Sequence, residues 1–228
     1  MKVKFINPSS LGWTETRLDQ ETMDFLWDAI NESQKTKKSI KGGLVGNIQN
    51  SYILKDKNNW FTENILKNHA NLSYKASGNK FPIQHWHTEG ENIPKDEKEE
   101  SFAQVSNPFS YTIRDWWVNY QYKHEFNPTH YHSGLYSFVI WMKVPYNFKD
   151  EHSLPFLKGI KDQDKRAGMF SFTTIDMLGD SSSYVYEPRE GTMLFFPSKL
   201  HHEVYPFYTS DDARISIAGN LTLDLDIS

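Results

Sequence analysis

The chain has no cysteine, which excludes disulfides and thiolate-bound metals and suits a reducing compartment. Long apolar runs are missing too: none approaches the roughly 18 residues of a membrane helix, and the opening MKVKFINPSSLGW lacks the apolar centre of a signal peptide. The expected setting is the cytoplasm, with no membrane partner. Excess positive charge is the third absence. A formal charge of −4 provides no basic face to displace counterions from phosphates, which argues against nucleic acid as a partner. The one locally basic stretch, SQKTKKSIKGG from Ser33 to Gly43, reads as a solvated loop.

Aromatic residues are plentiful. Twelve Tyr, 15 Phe and 7 Trp in 228 residues supply the apolar area for one sizeable core. A single domain over 1–228 is expected, with helices, supporting strands and loops in 1–109 and a β-rich core in 110–228. In the first part, VKFI reads as a short strand. Met23, Leu26, Trp27 and Ile30 then make an apolar stripe on a helix spanning Asp19 to Glu32. A second helix is expected from Asn58 to about Leu72, capped by Asp56 and burying Trp60, Phe61, Ile65, Leu66 and Leu72. These helices should cover a sheet.

From Ser110 onward, SYTIRDWWVNYQY, LYSFVIWMKVP, GMFSFTTIDML, GTMLFFPS and RISIAGNLTLDLDI are strand-like runs separated by turn residues. At least five strands with no intervening helix point to an antiparallel sandwich or barrel. In the last run Arg214 and Ser216 alternate with Ile215 and Ile217, so the polar pair shares one face.

Two histidine pairs have metal-ligand spacing. His130 and His132, in THYH, lie i and i+2 in an extended segment and so point the same way; His85 and His87, in HWH, repeat the spacing beside a polar loop. Either pair alone is weak evidence. The first is strengthened by FFPSKLHHEVYP, where an apolar strand leads to His202, and by Arg214 twelve residues later. A guanidinium facing into a barrel suits a carboxylate, which it binds by parallel charge-assisted hydrogen bonds.

With these motifs the chain resembles the iron(II)- and 2-oxoglutarate-dependent oxygenases, particularly prolyl-hydroxylase-like and small phage-type members, over about Trp116 to Leu223. The resemblance implies a double-stranded β-helix, or jelly roll, with supporting N-terminal helices. It also implies Fe(II), or another divalent metal, held by His130, His132 and His202. Arg214, Ser216 and Tyr120 would bind the far carboxylate of the co-substrate 2-oxoglutarate, with no catalytic residue beyond the metal centre. The substrate would be a peptide side chain or a small metabolite, contacted by loops from about Gln84 to Asn107 and Phe148 to Lys165, and a homo-oligomer is compatible with the reading. One departure stands out: His132 occupies the position where the family carries an acid. Glu125 and Glu203 are not obvious replacements.

A second resemblance, to the cupins, rests on GTMLFFPSKLHH and accounts for three histidines without an acid, whereas Arg214 and Ser216 favour the oxygenase. The reading from a different class is a non-catalytic β-sandwich that binds a ligand.

Overall fold

The computed structural model describes residues 12–76, 110–175 and 178–223. Two antiparallel sheets form the body. The larger has the order β1 (Thr14–Arg17), β8 (Thr192–Pro197), β5 (Tyr136–Lys143), β10 (Arg214–Leu223), β3 (Tyr111–Gln121) and β2 (Asn50–Ile53). The smaller has the order β4 (Asn127–His130), β9 (His201–Val204), β6 (Phe170–Ile175) and β7 (Ser181–Tyr186). This is the jelly roll expected from the sequence. Each of the five sequence-read runs forms a strand within its described residues, and the edge strands β1 and β2 come from the N-terminal half. The expected VKFI strand and the HWH pair lie outside the described residues.

Two apolar layers hold the body together. Between the sheets, Val139, Trp141, Phe170, Phe172, Leu194 and Phe196 interdigitate. On the outer face of the larger sheet, two helices bury Leu26, Ile30, Phe61, Leu66 and Ala70 against Trp116, Val118, Phe138 and Ile217. The first of these, α1 (Gln20–Thr36), begins where the Asp19 side chain accepts a hydrogen bond from the Thr22 amide, and it ends at Lys37 in the left-handed conformation.

The second helical region is more irregular than its periodicity suggests. A 3-10 turn at Lys57–Asn59 and a π turn at Thr62–Leu66 precede α2 (Lys67–Ala76). Asp56 caps it as expected, accepting from the amides of Phe61 and Thr62 and from the Thr62 hydroxyl. The π turn adds a residue to the helical repeat and rotates the turns of α2 relative to those before it. Leu72, expected inside, is accordingly 55% exposed.

Candidate metal centre

The smaller sheet places two of the three expected ligands opposite each other. His130 closes β4 and is the cross-strand partner of His202 on β9. His132 lies two residues further, held by its amide donating to the Ser198 carbonyl at 2.8 Å. One ligand atom from each of the three rings fits in a group whose members are all within 4.8 Å of one another. No other such group of His, Cys, Asp or Glu occurs among the described residues.

The local hydrogen bonds decide which nitrogen faces the centre. His130 Nδ1 lies 2.7 Å from the Pro128 carbonyl and His202 Nδ1 lies 2.9 Å from the Leu200 carbonyl. Since a carbonyl only accepts, both Nδ1 atoms carry the proton, and both Nε2 atoms present a lone pair. His202 Nε2 and His132 Nε2 are 3.2 Å apart. Bonds of about 2.1 Å to one metal put ligand nitrogens about 3.0 Å apart at a right angle and about 3.4 Å apart at a tetrahedral one, so the spacing fits. Without metal, the same contact is a hydrogen bond from His132 Nε2–H to His202 Nε2. For His132 Nε2 to be a ligand, its proton sits on Nδ1 instead.

Burial keeps these rings neutral, as ligands must be. Burial, aided by the charge of His130, lowers His132 to about 3. Burial also holds His202 well below its ordinary value, with lesser contributions from His130 and His132, and lowers His130. The wall behind His202 is apolar, with the Phe196 ring 4.9 Å away and the Phe170 ring 5.8 Å away.

From the histidines a narrow cleft of about 50 Å³ runs between the sheets past Trp117, Asn119, Ser216 and Phe170 to Gln121. Beyond it lies Arg214, only 1% exposed. Arg214 Nε donates to Gln121 Oε1 at 3.1 Å, Nη1 to the Gly168 carbonyl at 2.7 Å and the Tyr146 hydroxyl, and Nη2 to Gln121 Oε1 and the Tyr205 carbonyl. All of these acceptors are uncharged. Ion pairs of described arginines are Arg114–Asp115 and Arg189–Glu187, so the buried Arg214 cation has no carboxylate against it. All five guanidinium N–H groups are thus taken by protein acceptors, and the buried positive charge behind Gln121 makes the inner end of the cleft attractive to an anion.

Ser216 shares the inward face with Arg214, as the alternation implies, and lines the cleft. Tyr120 does not. Arg214 pairs across the ladder with Gln121 and Ile215 with Tyr120, so Tyr120 faces the helices, where it packs with the outer apolar layer and near Tyr52. Its placement corrects the expectation that it meets a carboxylate beside Arg214; a period-2 strand puts adjacent residues on opposite faces. Gln121, Asn119 and Trp117 hold the inward positions instead. The signal was available: residues two apart on β3 share a face, and Gln121 rather than Tyr120 registers with Arg214.

The structure also alters the reading of the loops and of the spare acids. Residues 148–165 form short helical turns packed against 207–209, with Glu151 accepting from the Tyr208 and Thr209 amides. They are absent from the cleft lining, which Leu44, Val45 and Ile48 join instead. The other loop, Gln84 to Asn107, lies outside the described residues. Glu125 is occupied by the amides of Tyr122 and Gln49, and Glu203 points to the outer face of the smaller sheet, so neither replaces the missing acid.

Residues 115–220, from β3 to β10, match the family model described as "Putative 2OG-Fe(II) oxygenase". Over these residues the chain is similar to the 2OG-Fe(II) oxygenases. Among solved structures, a prolyl-4-hydroxylase from Pseudomonas putida shares this fold, with a TM-score of 0.50 at 11% identity, covering 93% of each chain. The viral collagen prolyl hydroxylase of Paramecium Bursaria Chlorella virus-1, in complex with 2OG, has a TM-score of 0.48 at 12% identity, covering 92% of this chain and 94% of that one. A Trichoplax adhaerens prolyl hydroxylase, in complex with a hypoxia inducible factor peptide fragment, has a TM-score of 0.46 at 12% identity, covering 94% and 84%. No curated protein matches the chain.

Proposed function

We propose that the protein is an Fe(II)- and 2-oxoglutarate-dependent oxygenase that hydroxylates a peptide side chain or a small metabolite, with His130, His132 and His202 as its metal ligands. One observation carries the proposal: three imidazoles converge at one end of a cleft between the sheets, and a buried arginine with no carboxylate against it lies beyond the other end. Neutral imidazoles suit first-row divalent metals, iron among them. When bound, the iron supplies activation of dioxygen coupled to decarboxylation of the 2-oxo acid, so that C–H, dioxygen and 2-oxoglutarate become C–OH, succinate and carbon dioxide.

The protein's own residues do the rest. The Pro128 and Leu200 carbonyls fix the tautomers and ring planes of His130 and His202. Ser216 meets the far carboxylate of the co-substrate from the wall, and Arg214 attracts it by charge from behind Gln121, its own N–H groups being held by Gln121, Tyr146, Gly168 and Tyr205. Trp117, Phe170 and Phe196 exclude water, so that the oxidising power is spent on a positioned substrate.

Purified protein loaded with Fe(II) should release succinate from 2-oxoglutarate under oxygen, and His202→Ala should lose both metal and turnover. Metal retained at full occupancy by His202→Ala would sink the ligand assignment. The all-histidine shell specifically favours one second reading, a cupin-like three-histidine dioxygenase; oxygen consumption independent of 2-oxoglutarate would select it.

A further inference from the structure

The outer face of the metal-bearing sheet carries a polar cluster that the proposed chemistry does not use. Strand β4 loses register just before His130: Asn127 pairs with Val204 and His130 with His202. Two residues, Pro128 and Thr129, therefore stand opposite the single residue Glu203, which is the geometry of a β-bulge. Pro128 has no N–H to donate. The backbone ladder is interrupted where the position of His130 must be set.

Glu203 bridges the gap. Its Oε2 accepts from the Thr129 hydroxyl at 2.9 Å, while its Oε1 accepts from Ser171 at 2.7 Å and Tyr205 at 2.6 Å. Thr129 adjoins His130, Glu203 adjoins His202, and Ser171 is the cross-strand partner of Glu203 on β6. One carboxylate thus ties β4, β9 and β6 together on the face opposite the ligands. Because side chains alternate, a shift of Thr129 relative to Glu203 moves His130 relative to His202 on the other side.

We infer that Glu203 is a positioning residue for the metal centre: it clamps the bulge from outside and so sets the distance and angle between His130 and His202. The inference rests on the metal-ligand assignment. It separates Glu203 from a general stabiliser, because a clamp of this kind controls metal affinity beyond its effect on folding.

The test is titration of chelator-treated protein with Co(II), following both binding and the visible ligand-field spectrum, alongside the melting temperature of the metal-free form. Glu203→Ala should weaken Co(II) binding by about 10- to 100-fold and alter the spectrum, as loss of outer-shell support does. Glu203→Gln should stay near the parent, since its amide oxygen still accepts from Ser171 and Tyr205 and the Thr129 hydroxyl can turn to accept from the amide nitrogen. Thr129→Val removes the β4 arm alone; it should weaken Co(II) while leaving the metal-free melting temperature nearly unchanged, and it decides the matter if Glu203→Ala does not fold. Parent-like affinity and spectrum in folded Glu203→Ala, or in Thr129→Val, would overturn the inference. Failure of the ligand assignment has a different signature, an unchanged Co(II) spectrum in His202→Ala.

Discussion

At the residue scale, the site depends on three imidazoles kept neutral by their surroundings. In the unfolded chain they titrate near 6.5, whereas in the fold His132 resists protonation until about pH 3 and His130 and His202 are also lowered. Below pH 6.5 the unfolded chain binds protons that the folded chain refuses, so stability falls as pH falls from 6.5 toward 3 and is insensitive to these groups above that window. Metal-free protein should therefore show a lower urea midpoint at about pH 5 than at about pH 7.5, and His132→Gln should narrow the difference. A difference unchanged by that substitution would mean that His132 is hydrated and titrates normally. The ligand residues themselves were legible in THYH and HHEV. What sequence could not supply was the pairing of His130 with His202 across a bulge, since that depends on strand order.

At the element scale, β10 is the strand on which the architecture turns. It runs between β5 and β3, carrying Arg214 and Ser216 toward the cleft and Ile215 and Ile217 toward the helices. Its alternation was readable because one face is polar at the site and the other apolar. Gly219 carries no such signal in the sequence, yet it marks a close approach: a Cβ there would lie 2.6 Å from both Phe138 Cζ and Trp116 Cβ. Neither ring can withdraw without disturbing the layer under Phe61, which stacks on Trp116 at 5.6 Å. Gly219→Ala should cost about 1–3 kcal/mol, as overpacking of a dense core does, measured by chemical denaturation of the metal-free protein. A neutral effect would show that the outer layer is loosely packed. The second helical region shows the opposite failure of pattern reading, because a π turn shifted the stripe and left Leu72 outside.

At the scale of the whole molecule, Arg214 joins β10, β3, the segment around Tyr146, the start of β6 and the end of β9 through Gln121, Tyr146, Gly168 and Tyr205. It is both a candidate carboxylate anchor and a structural hub. Arg214→Leu would leave buried acceptors unsatisfied at about 1–3 kcal/mol each, so loss of 2-oxoglutarate binding in that variant should come with a lower melting temperature. Arg214→Lys, which keeps the charge and part of the hydrogen bonding, should lose less stability while still weakening 2-oxoglutarate, because a compact ammonium cannot hold Gln121 at the cleft as the planar fork does. Calorimetric titration with 2-oxoglutarate in the presence of Co(II) separates the two effects, and unaltered affinity in Arg214→Lys would remove Arg214 from the proposed co-substrate site.

By itself the sequence determined the β-rich class, the five principal strands, the capped helices and the residue types able to hold a metal and a carboxylate. Those properties rest on local periodicity, turn chemistry and the donor atoms of each side chain. Only the tertiary structure decided that His130, His132 and His202 meet, that Gln121 rather than Tyr120 faces Arg214, and that Glu203 stands behind the bulge. Each of these depends on which strands are neighbours and in what register, and a one-residue change of register exchanges the two faces of a strand without altering its pattern.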